Sequence, residues 1–308
     1  MGGVLVVGTL MIDVVAPWLE DMEPGANYTA SLESCYGGGG GNVAYHIATM
    51  GGEVALASGL GDDPLGRAYE ERLAGLGVRL YLARGERTGV LVALTTGSGE
   101  RTFIADPGAN TLVDEDLVGH AIEDYRPRVV VVHGYLLASP GPRRAALHAA
   151  KTASRTGSRV VFDPGYYNMG PEELRAAREI LEYTDVLVPN EEEARALAGA
   201  GSPVEASRQL SEEYGVTVYL KMGARGAALV GGGGLLHVGP PPVRLVNTVG
   251  SGDAFTAVVA QGLAVGWEPG VVLRRATERA TSVAGCACPQ CLAGASVNRG
   301  VNRVYTGI

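Results

Sequence analysis

Apolar residues fall in short unbroken runs at 4–7, 54–57, 129–132, 160–162, 186–188, 216–220 and 227–230. Runs of this kind, free of polar interruption, are what strands buried on both faces require. Between them the apolar positions take helical spacing, predicting helices over 44–50, 65–76, 142–156, 171–181, 191–198 and 204–214. Strand, helix, strand order implies an α/β fold of three layers, a parallel sheet covered by helices on both faces. Two segments, about 14–36 and 88–106, break the alternation. Both read as extended strands without intervening helices, the second as a hairpin turning at Gly97-Ser98-Gly99. They are expected to pair as a small separate sheet, serving as a lid, an edge extension or a dimer surface.

With 308 residues, 46% of them hydrophobic, the chain can bury one large core, so a single domain over 1–308 carrying the lid is expected. A net charge of −8 makes nucleic acid an unsuitable partner, because polyanion binding relies on clustered Lys and Arg. No stretch reaches the roughly 18 apolar residues of a membrane span, and Met1-Gly2-Gly3 leads straight into an apolar run without a basic leader. The reading is a cytoplasmic protein with no membrane partner. Of the four cysteines, Cys286, Cys288 and Cys291 form C-x-C-P-x-C, while Cys35 stands alone. Lysine occurs only at 151 and 221 and Gln only at 209, 261 and 290, a composition that hints at a thermophilic or GC-rich source. In a thermophile an intracellular disulfide is an ordinary option. With no fourth zinc ligand evident, two cysteines of the cluster are expected to pair and the third to stay free, with no metal.

Chemistry concentrates at Asn247-Thr248-Val249-Gly250-Ser251-Gly252-Asp253, followed by an apolar run that reads as a buried helix. Small residues at 250–252 let backbone N–H groups converge at a helix N-terminus, where orphan donors and the dipole favour an anion. A carboxylate closing that turn is either the cap of the helix or a base that takes a proton from an attacking hydroxyl.

Four more segments extend the pattern: Tyr36 and the five glycines 37–41 before Asn42, Asp106-Pro107-Gly108-Ala109-Asn110, Asn190-Glu191-Glu192-Glu193, and Lys221-Met222-Gly223-Ala224-Arg225-Gly226. Together with 247–253 they resemble the ordered signatures of the ribokinase-like (PfkB) carbohydrate kinases, whose last signature is usually D-T-x-G-A-G-D. The resemblance spans nearly the whole chain and implies a ribokinase-like fold and an ATP-dependent sugar kinase. It makes Asp253 the base and the N–H groups of Gly250, Ser251 and Gly252 the anion hole. Asp13, Gly38, Gly39 and Asn42 would bind the sugar. Asn190, Lys221, Gly223 and Gly226 would bind the nucleotide, and Glu193 with Asn190 would hold Mg²⁺ through water. Each has a plainer counterpart: Glu193 as a first-turn helix acid, the 221–226 glycines as a hairpin turn, and Asp13 as turn chemistry.

The sequence departs from the family at several places. Met11 stands where ribokinases carry Asn, and after 129–132 the chain reads His133-Gly134-Tyr135 where they carry Glu. His133 and Tyr135 either offer a stacking face to a nucleoside or another sugar, or pack at a strand end. Asn247 replaces the first Asp of the last signature, beside which the family places K⁺; dependence on K⁺ is therefore expected to be weak or absent. The cysteine cluster reads as an insertion before Gly294-Ala295, near where the family puts adenine, and would stiffen that pocket. The alternatives are a nucleoside kinase of the same fold, a sugar-phosphate kinase, for which Arg87 and Arg101 are the lid cations on offer, and a catalytically idle sugar- or nucleotide-binding protein. A Rossmann dehydrogenase is disfavoured because no G-x-G-x-x-G turn follows the first strand. A homodimer through the lid is the expected assembly.

Overall fold

The computed structural model describes residues 2–18, 23–96, 101–165, 169–199, 201–232 and 234–291. The strands are β1 (Gly2–Val7), β2 (Met11–Pro17), β3 (Glu33–Gly37), β4 (Val54–Gly61), β5 (Arg79–Gly85), β6 (Gly89–Thr95), β7 (Arg101–Asp106), β8 (Pro127–His133), β9 (Arg159–Asp163), β10 (Val186–Leu187), β11 (Thr217–Lys221), β12 (Ala227–Gly231) and β13 (Gly234–Val238). The helices are α1 (Gly39–Thr49), α2 (Pro64–Gly75), α3 (Glu115–Tyr125), α4 (Pro140–Thr156), α5 (Pro171–Leu181), α6 (Glu191–Ala198), α7 (Pro203–Tyr214), α8 (Ser251–Val265) and α9 (Pro269–Ala284).

The main sheet runs β13-β12-β11-β10-β9-β8-β1-β4-β5, parallel from β11 to β5, with β12 and β13 antiparallel at one edge. Its strands alternate between two cores. Val4 and Val6 of β1 and Val129 and Val131 of β8 face α1, α2, α8 and α9. Leu5 and Val7 of β1 and Val130 and Val132 of β8 face α3 to α7. Burial on both sides explains why these strands read as continuous apolar runs. Each fully buried Val or Leu contributes about 1.5–3 kcal/mol.

The two anomalous segments form a separate four-stranded sheet, β3-β2-β6-β7, as expected. Its hairpin turn at 97–99 lies outside the described residues. Asn110 ties this lid to the body: its amide donates to the Leu10 and Pro107 carbonyls (both 2.8 Å), and its oxygen accepts from Leu10 N–H (3.0 Å). The side chain thus satisfies backbone at the junction of β1 and β2 where no strand partner does.

The structure adds α3, α9, β5 and β13 to the expected elements, and it moves the start of α1. The helix begins at Gly39, five residues before the expected start at 44, so the last glycines of the run lie in its first turn, behind Gly38 at φ 79°. Close approach requires them. A Cβ on Gly40 would lie 2.8 Å from the Gly8 carbonyl carbon, and one on Gly41 would lie 2.1 Å from the Tyr69 hydroxyl. No helix among the described residues is long and apolar enough to cross a membrane.

Candidate active site

Strands β1, β8, β9, β10 and β11 deliver their C-terminal ends to one side of the sheet, where open α/β folds bind ligands. Asp253 arrives there from the first turn of α8, whose N-cap is Gly250 at φ 78° with no side-chain cap. The capping role open to Asp253 in the sequence is therefore not the one it has. Its Oδ2 accepts from Asn42 Nδ2 (2.8 Å) and its Oδ1 pairs with His133 Nε2 (3.1 Å). Burial pushes the Asp253 pKa up, but the His133 hydrogen bond and charge, the Asn42 amide and Lys221 outweigh it and leave it below the ordinary value. Burial pushes His133 down in turn, and the Asp253 partner more than reverses that. The His133 ring is fully buried, and a Cβ on Gly39 or Gly165 would come within 2.5 Å of it.

Asp13 is the third residue of β2, paired across the ladder with Cys35 and Leu91, so it sits on the lid sheet and not in a turn after β1. It is 3% exposed, and its Oδ1 has no partner among the described residues. Burial, and then repulsion from Asp253, raise its pKa to about 7 against a weaker pull from the Gly38 N–H. Thr9 Oγ1 and Ser251 Oγ are likewise buried without partners. Gly38 N–H bonds Asp13, Gly39 packs on the His133 ring, and a Cβ on Gly250 would lie 3.5 Å from Asn42 Nδ2. Of the three expected anion-hole donors, Ser251 N–H already closes a turn on the Thr248 carbonyl (3.2 Å).

A second cluster adjoins the first. Lys221 Nζ bonds Asp163 Oδ1 (2.9 Å), and Thr256 of α8 donates to the other Asp163 oxygen. Lys221 therefore reaches inward beside Gly252 instead of only running along a nucleotide loop. Its pKa is raised: burial opposes, but Asp163 and Glu193 dominate. Asn190 and Glu193 form a capping box at α6, Asn190 N–H and Nδ2 each donating to Glu193 (2.8 Å), so the plainer reading of Glu193 is realised. Yet Glu193 is 5% exposed, and burial raises its pKa to about 7 against Lys221. His133, Asp163 and Asp253 each bring one atom of metal-ligand type to within 4.8 Å of the others. Gly223 (φ 57°) and Gly226 (φ 88°) lie in the β11–β12 turn. A Cβ on Gly226 would meet the Val238 carbonyl at 2.0 Å, so the turn itself needs that glycine.

Asp163 has no place among the residues expected at the site, and His133, expected as a stacking face or a packed strand end, has Asp253 as its partner. The signal for Asp163 was a carboxylate closing the apolar run of β9. One pair within the cluster forms as expected, Cys286 with Cys291, but the third cysteine is not free: it is Cys288, and it pairs with Cys35 of β3. The partner lies 253 residues away, and only the lid brings it near. Asn247 donates from Nδ2 to the Ala287 carbonyl (2.9 Å) and accepts Val249 N–H (3.0 Å). Arg87 pairs with Asp106, and the side chain of Arg101 and the segment around Gly294-Ala295 lie outside what is described.

The family model for pfkB family carbohydrate kinases matches residues 1–298. A fructokinase of Klebsiella pneumoniae is 30% identical over 274 residues, covering 85% of each chain. An aminoimidazole riboside kinase of Salmonella typhimurium is 29% identical over 243 residues, covering 73% of this chain and 72% of that one. Among solved structures, an Escherichia coli protein assigned as a ribokinase II, in complex with ATP and Mg²⁺, superposes with a TM-score of 0.83 at 22% identity, covering 94% of this chain and 95% of that one. The last likeness carries the fold alone. The whole-chain family match and the fructokinase relative carry more: the chain belongs to the pfkB family of carbohydrate kinases and is an ATP-dependent sugar kinase.

Proposed function

We propose that this kinase transfers the γ-phosphoryl group of ATP to an exposed hydroxyl of a monosaccharide, with Asp253 as the base. The acceptor hydroxyl gives its proton to the Asp253 carboxylate, its oxygen bonds to the γ-phosphorus, and the bond from phosphorus to ADP breaks. The N–H groups of Gly250, Ser251 and Gly252 receive the developing negative charge at the α8 N-terminus, the Ser251 N–H by giving up its turn bond. Asp13, with Gly38, Gly39 and Asn42, holds the sugar hydroxyls; Asn190, Lys221, Gly223 and Gly226 hold the nucleotide. Asn190 and Glu193 would keep Mg²⁺ through water, which supplies charge neutralisation at the phosphates. The observation that carries the reading is Asp253 itself, a carboxylate at a helix N-terminus that does not cap it, beside a buried Asp13 with an unpartnered oxygen.

A nucleoside acceptor is the second reading, favoured by Tyr135, which stacks on His133 (5.1 Å between centroids) and is 38% exposed. Incubating the protein with ATP, Mg²⁺ and, in turn, D-fructose, D-ribose, fructose 6-phosphate and adenosine, and scoring ADP release, separates the readings. Both sides of the Asn247 amide are occupied and the side chain carries no charge, which supports weak dependence on K⁺. Turnover should change less than about twofold when K⁺ is replaced by tetramethylammonium, since a neutral amide offers a cation less than a carboxylate does. Strong activation by K⁺ would contradict it. On the edge strand β7 of the lid sheet, Ile104 is 60% exposed on the face opposite Asp13, and we read that face as the contact with a second copy.

A further inference from the structure

The segment 286–291 belongs to no helix or strand, yet it is fastened on every side. The Cys286–Cys291 bridge closes it on itself, and Cys288 is bonded to Cys35, the residue opposite Asp13 in the lid ladder. Asn247 Nδ2 donates to the Ala287 carbonyl. Arg279 donates to His46 Nδ1 (3.1 Å), so His46 must carry its hydrogen on Nε2, which donates to the Pro289 carbonyl (3.0 Å). Pro289 in turn packs on Gly250, where an added Cβ would lie 2.2 Å from the proline ring.

What this bracing holds in place is Gln290, 7% exposed. Its Oε1 accepts from Arg72 Nε (3.2 Å), and its Nε2 donates to the Tyr69 hydroxyl (2.5 Å) and to Asn42 Oδ1 (3.3 Å). Only one orientation of the amide fits. A guanidinium has donors alone, and the Tyr69 hydroxyl has already given its hydrogen to the Gly37 carbonyl (2.7 Å). With its oxygen taken, Asn42 can present only Nδ2 to Asp253. Donor direction therefore passes from Arg72 through Gln290 and Asn42 to one oxygen of the carboxylate.

Resting on the reading of Asp253 as the base, we propose that Gln290 is a positioning residue for that base, acting through Asn42, and that the two disulfides keep it there. A carboxylate held in one rotamer keeps its free lone pairs on the acceptor hydroxyl, and a small loss of that alignment is costly in rate.

The test compares wild type, Gln290→Leu and Gln290→Glu, each before and after reduction with tris(2-carboxyethyl)phosphine, the thiols counted by mass spectrometry. Gln290→Leu should lower kcat about tenfold, the scale of one hydrogen bond, with KM for ATP unchanged. Gln290→Glu can still accept from Arg72 but also accepts from Asn42, turning the Asn42 oxygen toward Asp253, and should lower kcat further. Reduction should lower wild-type kcat by the Gln290→Leu factor and leave Gln290→Leu where it was. In ¹⁵N-asparagine-labelled protein without substrate, the Asn42 side-chain NH₂ resonance should move in Gln290→Glu and on reduction. Wild-type kcat in Gln290→Leu, equal loss on reduction with and without Gln290, or an unmoved Asn42 resonance overturns the proposal. Normal turnover in Asp253→Asn would instead defeat the reading of the base, while the Asn42 resonance still reports whether the relay exists.

Discussion

Asp13 combines burial with an unpartnered oxygen and a pKa lifted to about 7 by burial and by Asp253. As an acceptor for sugar hydroxyls it is more effective ionised than protonated. With the sugar varied at saturating ATP and Mg²⁺, which takes the titration of Glu193 out of the ratio, kcat/KM should rise as pH climbs through about 7, where Asp13 loses its proton, while kcat at saturation changes little. Asp13→Asn should raise KM for the sugar about 10- to 100-fold, the worth of a charge-assisted hydrogen bond. It should also remove that pH limb. A kcat/KM flat from pH 6 to 8 in the wild type would refute this role. At the same scale, Asp253 was legible because small residues precede it at the head of an apolar run, and Asn42 only through the likeness of the glycine run before it to a family signature. His133 was not, since its partner lies 120 residues along the chain and a histidine ending an apolar strand is also what packing alone would place there.

At the scale of elements, patterning served where burial is two-sided and failed where close approach decides. The apolar runs of β1 and β8 announced themselves through their composition. The glycines of α1 did not read as helix, because the reason for them is the Gly8 backbone, the Tyr69 hydroxyl and the His133 ring pressed against them. The Cys35–Cys288 bridge was hidden because it depends on how the lid folds over the body. Asn110 is the hinge pin of that arrangement. Asn110→Ala would leave the buried N–H and C=O of Leu10 without partners, at about 1–3 kcal/mol each. Stability in urea should fall by about 2–6 kcal/mol and KM for the sugar should rise as β2 loosens. Unchanged stability would show that the lid is anchored elsewhere.

Among the described residues, a nine-stranded sheet brings five strand ends to one side, and Asp13 sits on a second, four-stranded sheet. The same second sheet shows Ile104 to solvent on its face away from Asp13. If a copy covers that face, the wild type should behave as a dimer in light scattering after gel filtration, and Ile104→Glu should yield monomer by burying a charge in an apolar contact. A monomeric wild type would remove the interface.

The most direct test of the account is Asp253→Asn, assayed beside the wild type for the phosphorylated product by mass spectrometry with the best acceptor of the panel, and for ATP binding by calorimetry. The exchange keeps the shape and the α8 N-terminus but removes the proton acceptor. Turnover should fall by two or more orders of magnitude, roughly the scale of positioned general-base catalysis, with ATP still bound. Near-normal turnover would contradict it.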